Sequence, residues 1–108
     1  MTYTLLCGSK VIEKIIVSFL SDYKRVNDDN PDFFIVEDSY LKTKGFSVVD
    51  FFKQNLDEEN VLFVAASTNQ EMLIVFFESR KQSSGKSRYI LKPFDKDGLI
   101  EKIEQLIS

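Results

Sequence analysis

Four short runs in this chain are apolar at nearly every position, and that pattern constrains the fold more than anything else in the sequence. They are 3–7, 33–36, Val61–Ala66 and 89–91. A strand covered on one face alternates apolar with polar residues. A strand apolar throughout is buried on both faces, which is the habit of parallel sheets. Between the runs, apolar residues recur at helical spacing. Val11, Ile12, Ile15, Ile16, Phe19, Leu20 and Tyr23 form one stripe behind Ser9 as N-cap. Gly45 opens a second pattern through Val48, Val49, Phe52 and Leu56, and Asp95 caps a third through Leu99, Ile100, Ile103, Leu106 and Ile107. The six apolar residues 72–77 fit either helix or strand by periodicity, and the polar Gln70, Glu71, Glu78 and Arg80 around them favour helix. The order is β-α-β-α-β-α-β-α. It predicts an α/β protein of three layers, with a parallel sheet of about four strands.

Charge and composition narrow the function classes. The 108 residues fit one domain, 1–108. Acidic residues number 17 against 14 basic, a net charge of -3, whereas a nucleic-acid-binding domain normally carries a basic face. There is no histidine, which removes Ser-His-Asp and Cys-His catalysis, His-ligated metals and phosphohistidine chemistry. One cysteine, Cys7, excludes an internal disulfide or a multi-cysteine metal site. The first residues lack the pattern of a signal peptide, and no run approaches the roughly 18 apolar residues of a membrane span. The expectation is a cytoplasmic, non-enzymatic domain without cofactor, metal, nucleic acid or membrane partner.

In open α/β sheets the functional edge lies beyond the carboxyl ends of the strands. The groups placed there are Cys7-Gly8-Ser9, Glu37-Asp38, Ala66-Ser67-Thr68 and Lys92-Pro93. Over roughly residues 31–107 these pieces resemble a response-regulator receiver domain, the switch module of two-component signalling. Pro31-Asp32 followed by Phe33, Phe34, Ile35, Val36 and Glu37 matches the family's Pro-Asp, four apolar residues and phosphoacceptor. Gly45-Phe46 falls at the family's spacing. Tyr89-Ile90-Leu91-Lys92-Pro93-Phe94 resembles its last strand, with a switch aromatic at Tyr89 and a cis peptide before Pro93. The resemblance implies a flavodoxin-like fold and a role in phosphorelay signal transduction.

Departures from the family pattern set the finer expectations. The phosphoacceptor position holds Glu37, with Asp38 as the alternative. Cys7 and Gly8 stand where the family has two magnesium-binding acids. The family's hydroxyl position falls on Ala65, or on Ser67 in a shifted register. Glu37 is long enough to reach Lys92 directly, while Asp38, next in a strand, is expected to face away or lie at the rim. The leading reading is therefore a pseudo-receiver that binds a protein partner without being phosphorylated. A phosphorylatable receiver is the alternative, and a Cys7-dependent enzyme resembling the sugar-transport phosphotransferase B subunits is the rival. Only about 30 residues separate Cys7 from Glu37, which predicts one βα unit fewer than a full receiver. With that unit gone, the first three helices would share one sheet face. Only the last helix could cover the other face, leaving it partly bare, to be closed by a homodimer or an obligate partner, with the 72–77 segment as a second candidate surface.

Overall fold

The computed structural model describes residues 1–27, 30–68 and 70–108. Asp28 and Asp29, and Asn69 after the third apolar run, lie outside the described residues. Five strands and five helices follow one another: β1 (Thr2–Leu6), α1 (Lys10–Phe19), β2 (Lys24–Arg25), β3 (Phe33–Glu37), α2 (Asp38–Lys44), α3 (Val48–Asn55), β4 (Val61–Ala66), α4 (Gln70–Arg80), β5 (Ser87–Lys92) and α5 (Lys96–Ile107). The strands form one parallel sheet in the order β2-β1-β3-β4-β5. This is the α/β class expected.

The sheet has five strands rather than four. The added strand, β2, is two exposed polar residues pairing with Thr2 and Tyr3. Nothing apolar marks it, so hydrophobic patterning passes over it. Its position matters more than its length, because it lies outside β1. The chain steps outward through α1, then turns back past β1 to β3. With right-handed crossovers, that reversal puts the first and last helices on one face. The helices therefore do not divide three and one as expected. Ile16 and Leu20 of the first helical segment and Leu99, Ile103 and Leu106 of α5 pack on Tyr3, Leu5, Phe33, Ile35, Leu62, Val64 and Ile90. On the opposite face, α2, α3 and α4 bring Leu41, Phe51, Phe52 and Phe76 onto Phe34, Val36, Phe63 and Ala65. Both faces are covered, and the bare face that motivated a homodimer is absent. Between β2 and β3 no helix occurs among the described residues.

Local chemistry sets most boundaries. Ser9 accepts from the Ile12 N–H at 3.3 Å and Asp95 from the Gly98 N–H at 2.7 Å, as their N-cap positions require. Gly45 closes α2 instead of opening a helix, at φ 70°, a left-handed conformation that costs glycine little. The 72–77 run is helical, inside α4. In the second core the rings of Phe52, Phe63 and Phe76 meet at centroid distances of 4.9–5.7 Å. Burying each ring contributes about 1.5–3 kcal/mol, which anchors α3 and α4 to β4.

Candidate functional site

The carboxyl ends of β1, β3, β4 and β5 meet at one edge of the sheet. Glu37 follows Ile35, and Lys92 follows Ile90, by two residues, so strand alternation turns both toward the face where Ile35 and Ile90 are buried. They meet there, with Lys92 Nζ 2.7 Å from Glu37 Oε2. Asp38 does not face away. The chain passes from strand to helix at this residue, which breaks the alternation and swings its carboxylate inward. Lys92 Nζ lies 2.6 Å from Asp38 Oδ1. One ammonium thus bridges two carboxylates, and the cluster keeps a net charge of one negative.

Every oxygen of the pair is engaged. Glu37 is fully buried. Its Oε1 accepts from the Gly8 N–H at 3.1 Å and from the Ser39 hydroxyl, and it lies 3.4 Å from the Cys7 thiol. Asp38 Oδ2 accepts the Ala66 N–H at 2.9 Å, which ties β3 to the end of β4. Burial pushes the Glu37 carboxyl upward, yet the hydrogen bonds from Lys92 and Ser39 outweigh it and hold the group at about 2. Burial alone would lower Lys92, and the two carboxylates raise it above its ordinary value. Glu37 and Lys92 are both charged throughout the neutral range.

Gly8 is required at its place. A Cβ there would fall 2.7 Å from the Ser39 carbonyl oxygen, inside the closest approach of real side chains. An acidic side chain at this position is incompatible with the present path of α2. Cys7 is half-buried, its Sγ 3.2 Å from the Ser9 carbonyl oxygen. Burial pushes the thiol up to about 11, and the neighbouring Glu37 charge adds to the effect. A thiol so raised is a poor nucleophile at neutral pH. Among the described residues no group of three or more His, Cys, Asp or Glu side chains is arranged to hold a metal ion.

Ala65 is buried in the second core, on the far side of the sheet from the ion cluster, and Ser67 is exposed beyond the end of β4. The β4 residue paired with Lys92 is Ala66. Pro93 follows through a cis peptide. Beside Lys92, a slot of about 250 Å³ is walled by Ile12, Ile15, Ala66, Pro93 and Phe94. Tyr89 lies outside the cluster, packed edge-on against Phe77. Sequence reasoning places Glu37 and Lys92 correctly at one edge. It misses Ser39 and the Gly8 N–H as Glu37's partners, since neither carries a spacing signal until the turn into α2 is known.

No protein-family model matches this sequence, and no curated protein does. Solved structures are similar. A chain carrying residues 181–211 of the yeast Spc42 trimeric coiled coil fused to another structure aligns with TM-score 0.71 at 18% identity, over 98% of this chain and 78% of that one. NtrX from Brucella abortus, solved in complex with ADP, aligns at 0.66 and 16% identity, over 98% of this chain and 26% of NtrX. A CheY-like response regulator from Mesorhizobium loti aligns at 0.65 and 13% identity, over 96% of both chains. At these identities the likeness is one of fold, and the fold is receiver-like.

Proposed function

We propose that this chain is a receiver-like signalling domain that acts by binding another protein and does not take up a phosphoryl group. One observation carries the reading. At the phosphoacceptor position stands a buried Glu37 whose two oxygens are already filled by Lys92, Ser39 and the Gly8 N–H. A carboxylate in that state has at most one of its roughly four acceptor sites left for a metal, and attack on a phosphodonor would first have to displace Lys92. Asp38 is engaged in the same way, by Lys92 and the Ala66 N–H. A hard cation needs several free oxygen ligands, and Cys7 and Gly8 supply none from a side chain. In this reading the ammonium of Lys92 is permanently satisfied by the Glu37 carboxylate, and the surface around the strand ends is fixed. The apolar slot beside Lys92 is consistent with protein contact.

The test is incubation of the protein with magnesium and acetyl phosphate, followed by intact-mass spectrometry. No phosphoryl adduct is expected. A stoichiometric adduct on Glu37 or Asp38 would restore the phosphorylatable receiver, and one on Cys7 would promote the phosphotransfer enzyme.

A further inference from the structure

The second core is built on β3 and β4. From β1, among the described residues, it draws Leu6 alone, and Leu6 is half-buried. The cause is the link from β2 to β3. Parallel strands are ordinarily joined by a crossover of a dozen or more residues, usually a helix, and this link has seven, 26–32. A right-handed crossover returning from β2 past β1 belongs on the face of α2, α3 and α4. No helix among the described residues lies over β1 there, and a groove runs beside α3 in its place.

The groove encloses about 430 Å³. Leu6 and Phe34 form its floor, and Tyr40, Phe46 and Phe51 line one wall. The rings of that wall lie 5.5–6.3 Å apart between centroids. Phe51 is buried, but Phe46 is 49% exposed. Its N–H donates to the Leu41 carbonyl oxygen at 3.0 Å, so the turn after α2 holds the ring at the mouth of the groove. Aromatic groups in such positions are enriched at protein interfaces. The two ends of the groove differ in charge. Near the carboxyl ends of the strands, the exposed Lys44 places its ammonium 5.9 Å from the Tyr40 ring. At the amino end stands Glu59, two residues before β4.

We infer that this groove receives an amphipathic helix of a partner protein, acidic in its first turn and basic in its last. The place is that of a crossover helix, alongside α3 and antiparallel to the strands. In that direction the helix sets its first turn at Lys44 and its last at Glu59. Acids in the first turn and cations in the last are what the helix macrodipole favours, so both ends of the groove complement an ordinary helix in this direction and oppose the reverse one. Large apolar residues at i, i+3 or i+4, and i+7 meet Leu6, Phe34 and Phe46, the usual mode of a helix in a groove. The inference rests on the proposed function, a domain that works through protein contact, and gives its partner a chemistry.

The test is selection of random peptides displayed on phage against the full chain, followed by fluorescence anisotropy of the enriched peptides. They are expected to share the apolar helical spacing with an acidic first turn. Phe46→Ala should weaken them at least about tenfold. Lys44→Glu, at an exposed position, should weaken them about two- to fivefold, and lysine in place of the peptide's first-turn acid should restore the loss. Circular dichroism checks that both variants keep the fold. A selection that enriches nothing overturns the inference, as do peptides with a basic first turn or peptides that bind both variants as tightly as wild type. Light scattering that shows a wild-type dimer, returned to monomer by Phe46→Ala, would put a second copy in the groove and overturn it too. A phosphoryl adduct in the acetyl phosphate experiment would overturn the non-phosphorylated reading without touching this result.

Discussion

Two cations, the half-buried Lys92 and the buried Arg80, sit at opposite ends of the same sheet and are satisfied in different ways. Lys92, at the carboxyl end, is held by two carboxylates. Arg80, at the amino end, is 5% exposed and is held by neutral groups: the carbonyl oxygens of Leu56 and Glu59 at 2.5 Å each, that of Lys86 at 3.4 Å, and Ser87 Oγ at 2.7 Å. Burial lowers Arg80's pKa, and the more distant Asp57 and Glu59 charges oppose that. A guanidinium has five donors in a fixed fork and can close several loop carbonyls at once. Arg80 thereby joins the segment after α3 to the segment before β5. The arginine end is a knot of neutral hydrogen-bond acceptors around one guanidinium. The lysine end is an electrostatic cluster whose parts titrate, and it occupies the edge where ligands bind in sheets of this kind.

Removing the lysine should give the largest effect. Lys92→Met leaves Glu37 and Asp38 buried side by side without a counter-ion, and breaking a buried pair in this way costs about 3–5 kcal/mol. Without Lys92 the burial of Glu37 loses its chief opponent, and the folded pKa of that carboxyl rises above its unfolded one. The variant then gains stability below the unfolded value and loses it as pH rises. Denaturant unfolding at pH 7 and pH 4 should therefore show the gap to wild type narrowing in acid. A gap of equal size at both pH values would mean that the carboxylates carry no charge in the folded protein.

Arg80→Met sharpens the contrast. It keeps much of the buried stem and removes the hydrogen bonds, leaving carbonyls unpaired at a cost of about 2–3 kcal/mol. Arg80's hydrogen-bond partners are neutral and only the more distant Asp57 and Glu59 charges act on it, so the loss should change far less between pH 4 and pH 7 than that of Lys92→Met. A loss that changes as much with pH would make the two ends alike after all.

The smallest effect is expected from Glu37→Gln, about 1–2 kcal/mol, since the amide keeps one acceptor oxygen, for Lys92 or for the Gly8 N–H, and Lys92 keeps Asp38. Its use lies in the pH profile. Glu37's folded pKa, about 2, lies below the ordinary 4.5. Its contribution is fully present above pH 4.5 and is lost as pH falls toward 2. Wild type should weaken across that window and Glu37→Gln much less. Parallel profiles would remove Glu37 as the titrating group.

The lysine end is the more legible of the two. Glu37 and Lys92 each close an apolar run, and such runs announce buried parallel strands, so the linear pattern of residues is enough to bring both side chains to one edge. Asp38 escapes that logic, because alternation holds only within a strand and the strand becomes α2 at this residue. The arginine end carries no sequence signal. Arg80 reads as the polar end of a helix, and its partners are backbone carbonyls, which every residue possesses.

Local sequence determined what repeats within a few residues. The buried strands came from unbroken apolar runs, α1 and α5 from their stripes and from Ser9 and Asp95 as caps, and the helical state of α4 from its polar flanks. Tertiary structure decided what depends on position in the sheet. Two polar residues, Lys24 and Arg25, pair outside β1 because a neighbouring strand offers hydrogen bonds there, not because of their own side chains. That short pairing reverses the direction of the chain and covers both faces. It leaves α4 and β5 at an edge, where Ile74, Phe77 and Tyr89 have no layer above them. Burial of a side chain is a sum over all neighbours, and a sequence window sees only those along the chain.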